Sequence, residues 1–213
     1  MISKLHFITG ETEEFSHSAL VELACKGGAD WVQLRVKNKP EDDFFRFAAD
    51  SKQICKQFGA KLIINDNVMI AKEILADGVH LGKDDMDPRE ARKILGKNFI
   101  IGGSANTMED IYRLKKCGCN YIGIGPFRFT STKEKLNPVI GLEGIKKIAA
   151  LCKKENIKTP LIAIGGIKLN DIKPILETGV FGIAVSSGIH QSKNMKEEIK
   201  KFLCIINQTG FTI

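Results

Sequence analysis

The sequence has no apolar run of the roughly 20 residues needed to span a bilayer. Its first ten residues, MISKLHFITG, have neither the apolar core nor the cleavage site of a secretory signal peptide. No linker or low-complexity stretch divides the 213 residues, and 43% of them are hydrophobic. These features predict a soluble cytoplasmic protein that forms one domain over residues 1–213, and they exclude a membrane-spanning protein.

The six cysteines do not follow the spacing of a zinc site or of a disulfide framework. Cys117 and Cys119 form the only close pair, and they lack a second pair or a nearby histidine. We expect the other four cysteines to lie on apolar faces of predicted helices: Cys25, Cys55, Cys152 and Cys204. The cysteines are therefore predicted to be free thiols or small core residues.

The formal charge of +7 is not gathered into a basic patch. Lysine and arginine are spread over helix ends and outer faces, with acidic residues between them and without a stripe of aromatic residues. This distribution argues against nucleic acid and membranes as partners, and it favours small anionic ligands.

Short strands rich in valine and isoleucine alternate with amphipathic helices in units of similar length. The strands are expected at residues 5–9, 31–34, a run ending at 65–66, 78–81, 99–102, 121–124, 161–164 and 182–185. The helices are expected at residues 16–26, 41–58, 68–74, 89–95, 108–116, 142–153, 170–177 and 195–206. Eight such units predict a closed (β/α)8 TIM barrel. The alternative, a doubly wound open sheet, is disfavoured because no G-x-G-x-x-G motif follows the first strand.

The segment IINDNVMIAKEILADGVHLGKDD, residues 63–85, is a strand-helix-strand unit with acidic residues at both strand ends. A right-handed crossover brings Asp66 and Asp85 to the same edge of the sheet. A helix needs one cap, yet residues 65–67 are three consecutive Asx residues, and Asp87-Pro88 already supplies a cap for the next helix. Two carboxylates without a capping role predict a Mg²⁺ site that is completed by a substrate phosphate.

Cations and hydroxyls follow other strands of the predicted barrel. The residues concerned are Gln33, Arg35 and Lys37 after the second strand, Asn65 beside Asp66, Ser104 after the fifth, and Thr130, Thr132 and Lys133 after the sixth. In a TIM barrel all of these positions lie at the active-site rim. Together with two carboxylates, they predict a site for a metal-bound diphosphate.

Glycine and serine follow the seventh and eighth strands, in Ile164-Gly165-Gly166 and in Val185-Ser186-Ser187-Gly188. Such turns let backbone N–H groups approach an anion, and barrels commonly bind a monophosphate here beside a short extra helix. The sequence thus predicts a second anion site that has no metal.

Seven motifs at this rim resemble those of thiamine-phosphate synthases. They are QLRVK at 33–37, IIND at 63–66, DGVHLGKDD at 77–85, IGGS at 101–104, GPFRFTSTK at 125–133, AIGGI at 163–167 and GIAVSSGI at 182–189. The resemblance implies an enzyme that joins hydroxymethylpyrimidine diphosphate to thiazole phosphate, giving thiamine phosphate and diphosphate.

The resemblance also implies a role for each matched residue. Asp66 and Asp85 would hold Mg²⁺, and Ser104 and Lys133 would be catalytic residues at the reaction centre. The diphosphate would be bound by Arg35, Lys37, Asn65 and Lys133, and the pyrimidine by Gln33. The thiazole phosphate would be bound by Thr130, Thr132, Gly166, Ser186 and Ser187. Residues 131–141 would form a lid that excludes water from the reactive cation.

The chain departs from the family pattern at four positions. His6 replaces a common tyrosine, Phe129 a proline, Lys83 a glutamine and Asn106 a histidine. His80 is expected to be a core residue or to support the site from behind, because it lies within a strand.

Three other functions compete with this interpretation. A thiazole tautomerase of the same barrel type would keep the phosphate site, but it would have a histidine where Pro126 stands. A phosphate-ligand sensor would bind without turnover. A phosphosugar isomerase or aldolase would need a catalytic Glu, His or Schiff-base Lys inside the barrel. The oligomeric state is open, and a homodimer is one possibility.

Overall fold

The structure is a computed structural model, and it describes residues 1–129 and 138–209. The strands are β1 (Leu5–Ile8), β2 (Trp31–Leu34), β3 (Lys61–Asn65), β4 (Gly78–Leu81), β5 (Ile100–Ala105), β6 (Tyr121–Ile124), β7 (Leu161–Ile164) and β8 (Gly182–Val185). The helices are α1 (His17–Lys26), α2 (Glu41–Phe58), α3 (Val68–Glu73), α4 (Pro88–Leu95), α5 (Met108–Lys116), α6 (Gly141–Lys154), α7 (Ile172–Glu177), α8 (Ser187–His190) and α9 (Met195–Gln208).

The strands form a closed barrel in sequence order, and each strand is parallel to its neighbours. The barrel closes where β1 pairs with β8, with Leu5 opposite Ile183. This topology confirms the predicted (β/α)8 barrel and excludes the doubly wound sheet. Across the described parts of the chain, no helix is both long and apolar enough to cross a membrane.

Side chains alternate along each strand between the helix layer and the barrel interior. Residues such as Phe7 and Val32 pack in the large outer core beneath the helices. Trp31 and Tyr121 belong to a separate, smaller cluster inside the barrel. Gly102 makes room for this cluster, since a Cβ there would lie 2.2 Å from Cζ of Tyr121.

The predicted helix caps are present. The Asn67 side chain accepts the Ile70 N–H at the start of α3, and Asp87 accepts the Arg89 N–H with Pro88 as the first residue of α4. Asn67 therefore caps α3, and Asp66 has no capping role.

The structure corrects several predicted details. β5 extends beyond Gly102 to Ala105, so Ser104 lies within the strand and not after it. The helix predicted at 170–177 is a 3₁₀ turn, Leu169–Asp171, followed by α7. Cys204 is exposed, because the buried face of α9 carries Ile199 and Phe202, and Cys204 lies on the other side.

His6 lies in the barrel interior and is 1% exposed. Its ring stacks on Trp31 with a centroid distance of 4.4 Å, and Nε2 lies 3.0 Å from the carbonyl oxygen of Ser3. Ser3 precedes β1, so His6 faces the amino-terminal end of the barrel, and Ile8 is the next interior residue toward the rim. Burial, together with His80, lowers the pKa of His6 to about 3.

We predict that His6 makes the protein sensitive to acid. Its native pKa of about 3 lies below the ordinary histidine value of 6.5, so the unfolded state binds this proton first as the pH falls. The His6 contribution to stability is complete above pH 6.5 and decreases below it, by up to about 1.4 kcal/mol per pH unit. Urea unfolding at several pH values should show a smaller acid slope for His6→Gln than for the wild type. Equal slopes would contradict the buried neutral state.

Candidate active site

Asp66 takes its place at the rim through an unusual backbone conformation. It has φ of 64°, in the left-handed region that Asp tolerates better than most residues. Its N–H donates to the carbonyl oxygen of His80 at 2.9 Å, which ties the end of β3 to β4. Since Asn67 caps α3, the Asp66 carboxylate is available for an ionic role.

Asp85 lies beside Asp66, as the strand-helix-strand unit predicted. Its Oδ2 accepts the Gly82 N–H at 2.6 Å, so the turn after β4 uses one of its oxygens. Asp85 therefore has a structural role in this turn, whereas the sequence indicated no structural role for it. Gly82 is required for this turn because a Cβ would lie 2.8 Å from Asp85 Oδ2.

Three charged groups meet at this point of the rim. Burial and the neighbouring Asp66 raise the pKa of Asp85, while the Gly82 hydrogen bond and Lys37 oppose that rise. The Lys37 ammonium group forms an ion pair with Asp66 Oδ2. The two adjacent carboxylates disfavour each other's charge, as the raised pKa of Asp85 shows, and a divalent cation bound by them would relieve this repulsion.

The described residues at this point of the rim offer fewer ligands than Mg²⁺ needs. Within residues 1–129 and 138–209, no group of three or more His, Cys, Asp or Glu side chains could hold a metal ion. Asp66 and Asp85 could supply two hard oxygen ligands, and water and a substrate phosphate would have to supply the rest. Such a sparse protein contribution is typical of Mg²⁺ bound together with a phosphate substrate.

Arg35 and Asn65, also predicted to bind the diphosphate, lie on the β2 and β3 side of the same rim. Asn65 is the last residue of β3 and is 9% exposed. The Arg35 N–H donates to Thr9 Oγ1 at 2.9 Å, and the Lys37 N–H donates to Glu11 Oε1 at 3.3 Å. The loop after β1 therefore holds the backbone that carries both cations.

His17 supports this loop, a role that the sequence did not suggest. Its Nδ1 lies 3.1 Å from Thr9 Oγ1, and its Nε2 lies 2.9 Å from Glu11 Oε1. The two hydrogen bonds join α1 to the residues that hold the Arg35–Lys37 backbone. No periodicity indicates this contact, because His17 lies on the buried face of α1 among apolar residues.

Ser104 belongs to a polar chain that crosses the barrel interior. Its Oγ lies 3.0 Å from His80 Nε2, and His80 Nδ1 lies 3.0 Å from the Tyr121 hydroxyl. The Gln33 side chain lies beside Tyr121 and opposes the rise in the Tyr121 pKa that burial causes. His80 thus holds Ser104, expected at the reaction centre, from within the barrel, and Gln33, expected at the pyrimidine, lies next to the other end of this chain.

The predicted monophosphate site has the expected backbone and the expected short helix. Gly165 and Gly166 have φ of 106° and 66°, values that favour glycine. The helix α8 follows β8 directly, and Ser187 lines the same cavity as Gly166, with a volume of about 630 Å³. The buried Ser186 Oγ has no hydrogen-bond partner among the described residues.

Thr130, Thr132 and Lys133 lie outside the described residues, as does most of the predicted lid at 131–141. The chain on either side of this gap is held at the rim. Asn106 Nδ2 donates to the carbonyl oxygens of Gly125 at 2.9 Å and Pro138 at 3.0 Å. Lys83, another departure from the family pattern, pairs with Asp110 at 2.7 Å.

A closed parallel barrel with paired carboxylates, cations and glycine-rich turns at its carboxyl rim defines a TIM-barrel enzyme that acts on small phosphorylated molecules. Comparison with known proteins agrees with this class. Residues 5–189 match the family model described as thiamine monophosphate synthase. The chain therefore belongs to the thiamine monophosphate synthase family, a family of transferases.

Two relatives and one solved structure show how far the similarity extends. The thiamine-phosphate synthase of Phocaeicola vulgatus is 49% identical over 200 residues, which cover 94% of this chain and 96% of that protein. That of Flavobacterium johnsoniae is 51% identical over 197 residues, 92% of each chain. The thiamine phosphate pyrophosphorylase structure from Pyrococcus furiosus superposes with a TM-score of 0.86 at 32% identity, over 97% of this chain and 96% of that one.

We predict that Asp85→Asn separates stability from activity. The amide oxygen can still accept the Gly82 N–H, and the substitution removes the charge that burial and Asp66 disfavour. Without Mg²⁺, the free energy of unfolding should therefore rise, by less than about 1 kcal/mol because the site is partly exposed. If Asp85 binds Mg²⁺ as the sequence predicts, turnover with Mg²⁺ should fall about 100-fold or more. Denaturant unfolding and product formation measure the two effects, and a variant that keeps wild-type turnover would contradict the assignment.

Proposed function

We propose that the protein is a Mg²⁺-dependent thiamine-phosphate synthase that couples hydroxymethylpyrimidine diphosphate with thiazole phosphate. The main support is the arrangement of two anion sites on one rim. The acidic and cationic group around Asp66, Asp85 and Lys37 follows β2 to β4, and the glycine and serine turns follow β7 and β8. A coupling enzyme that binds two phosphorylated substrates needs this pair of sites.

The first site would bind the diphosphate. Arg35, Lys37 and Lys133 would donate charge-assisted hydrogen bonds to its oxygens, and Asn65 would donate from its amide. Asp66 and Asp85 would hold Mg²⁺, which when bound supplies positive charge to the departing diphosphate. Because Lys37 already pairs with Asp66, its ammonium group is held near the position where the diphosphate charge develops.

The reaction would proceed by dissociation followed by capture. The bond between the pyrimidine methylene carbon and the diphosphate oxygen breaks, and its electron pair leaves with the diphosphate. The thiazole ring nitrogen then donates its lone pair to the resulting cation and forms the new C–N bond. Neither step requires a nucleophilic side chain, so the chain's contribution is orientation and charge.

The interior polar chain would orient the pyrimidine. Gln33 is 3% exposed and lies beside Tyr121, which is joined through His80 to Ser104. A network whose members hold one another presents its polar atoms in fixed positions, which favours one ring orientation. The second site would hold the thiazole phosphate by Gly166, Ser186 and Ser187, with Thr130 and Thr132.

We also propose that the reaction takes place in the cytoplasm, because highly charged phosphorylated substrates do not cross a bilayer unaided. A homodimer stays a prediction, and the mass of the protein in solution would test it.

Product formation tests the proposed function. Purified protein is mixed with pyrimidine diphosphate and thiazole phosphate, and thiamine phosphate is detected after oxidation to fluorescent thiochrome. We expect product with Mg²⁺ and none after chelation. Lys37→Met should lower kcat/KM about 10- to 100-fold because a charge-assisted hydrogen bond is lost. Lys93→Met is the matched control, since Lys93 pairs with Glu90 on the exposed face of α4.

Two results would contradict the proposal. Chelator-resistant product would overturn the metal requirement while leaving the coupling reaction intact. No product, with thiazole phosphate still bound, would favour the tautomerase or the sensor. Proton exchange on the thiazole would then distinguish those two functions.

A further inference from the structure

Arg128 joins two loops at the second anion site. Its Nη1 donates to the carbonyl oxygen of Gly166 and to Asp171 Oδ2, both at 2.7 Å, and its Nη2 donates to Asp171 Oδ1 at 2.9 Å. Arg128 lies in the loop after β6, and Gly166 and Asp171 follow β7. The planar guanidinium group therefore forms a two-pronged contact with a carboxylate and a third contact with the backbone.

The backbone beside Arg128 follows the same turn. The Phe127 N–H donates to the Ile164 carbonyl oxygen at 2.8 Å, and the Arg128 N–H donates to the Gly165 carbonyl oxygen at 3.0 Å. A Cβ on Gly166 would lie 2.7 Å from Cγ of Arg128. The aliphatic part of Arg128 thus packs directly on the glycine turn, and its guanidinium group fixes the carbonyl of that turn.

Asp171 is tied to the turn from the other side. Its Oδ2 also accepts the Lys168 N–H at 2.8 Å, and its side chain is only 16% exposed. Burial alone would raise the pKa of Asp171, but the hydrogen bonds from Arg128 and Lys168 lower it below its usual value. The carboxylate therefore stays ionised at neutral pH and remains a partner for Arg128.

We infer that Arg128 and Asp171 are positioning residues that set the orientation of the Gly166 turn for the phosphate of the thiazole substrate. This inference rests on the proposed function, which places that phosphate at Gly166, Ser186 and Ser187. Arg128, Gly166 and Ser187 line one cavity. The Gly166 carbonyl held by the guanidinium group fixes the direction of the Ile167 N–H, and the Gly165 carbonyl held by the Arg128 N–H fixes the direction of the Gly166 N–H.

The geometry favours positioning over direct phosphate binding. Three hydrogen bonds from the guanidinium group go to protein atoms, and the charge of Arg128 is neutralised by Asp171. The two roles predict opposite effects for loss of Asp171. A positioning pair fails when either partner is lost, whereas a phosphate-binding arginine would be released for the ligand.

The test uses Arg128→Lys and Asp171→Asn in the full chain. Lysine keeps the charge without the planar fork, and asparagine keeps the shape without the charge. We expect each to raise the KM for thiazole phosphate about tenfold or more, as loss of a charged hydrogen-bond pair does. The KM for pyrimidine diphosphate and the kcat at saturation should stay within about twofold, because the other site is intact. The KM of the double variant for thiazole phosphate should be no higher than that of the more impaired single variant.

Arg92→Lys is the matched control. The Arg92 guanidinium also joins two loops, by donating to the Gly96 carbonyl oxygen at 3.0 Å and to Asn120 Oδ1 at 2.8 Å. It lies at the opposite, amino-terminal end of β5 and β6. The control should lose stability without a change in the KM for thiazole phosphate, which separates general loosening of the barrel from positioning of the turn.

Calorimetric titration with thiazole phosphate makes the test independent of turnover. If the wild type binds but forms no product, the proposed function fails, and the dissociation constants of the variants still test the positioning role. The inference is overturned if the wild type does not bind thiazole phosphate, or if both variants bind as the wild type does. It is equally overturned if Asp171→Asn binds as well as or better than the wild type while Arg128→Lys binds weakly.

Discussion

Closure of the parallel barrel is the constraint on which the rest of the structure depends. All eight strands are parallel, and the pairing of β1 with β8 closes the barrel. The carboxyl ends of the strands therefore meet at one rim. Residues as distant in sequence as Lys37 and Ser187 thereby belong to one surface. Each strand contributes only a few residues to it, and the short loops keep those residues close to the rigid sheet.

The two carboxylates at the rim repel each other in the free protein, and a bound metal-diphosphate complex would relieve this repulsion. Asp66 and Asp85 are adjacent and partly buried, and the charge of Lys37 only partly offsets their mutual repulsion. The left-handed backbone at Asp66 and the tight turn at Gly82 hold the two carboxylates together. Elements that oppose stability in the free protein are common at sites where a ligand supplies the missing interaction. The other anion site is built differently, from backbone turns whose orientation depends on side chains behind them.

The alternation of short, Val/Ile-rich strands with amphipathic helices in units of similar length was sufficient to predict the barrel, because both elements are local patterns. The pairing of Asp66 with Asp85 was also predictable, since it follows from the handedness of one strand-helix-strand unit. Contacts between loops were not predictable from the sequence. Arg128 and Asp171 are 43 residues apart and meet only because β6 and β7 are neighbours. His17 shows the same limit, because helix periodicity gives a face but does not identify its polar partners. For Cys204 the predicted face itself was wrong. Asp85 shows that a residue without a capping role can still serve a turn.

We expect Asp66 and Asp85 to act with a divalent cation in holding a diphosphate. The most direct test is the affinity of the protein for inorganic diphosphate, measured by titration calorimetry with and without Mg²⁺. Mg²⁺ should tighten binding to the wild type about tenfold or more, and Asp66→Ala should abolish this gain. Equal affinity with and without Mg²⁺ in the wild type, or an unchanged gain in the variant, would contradict this expectation.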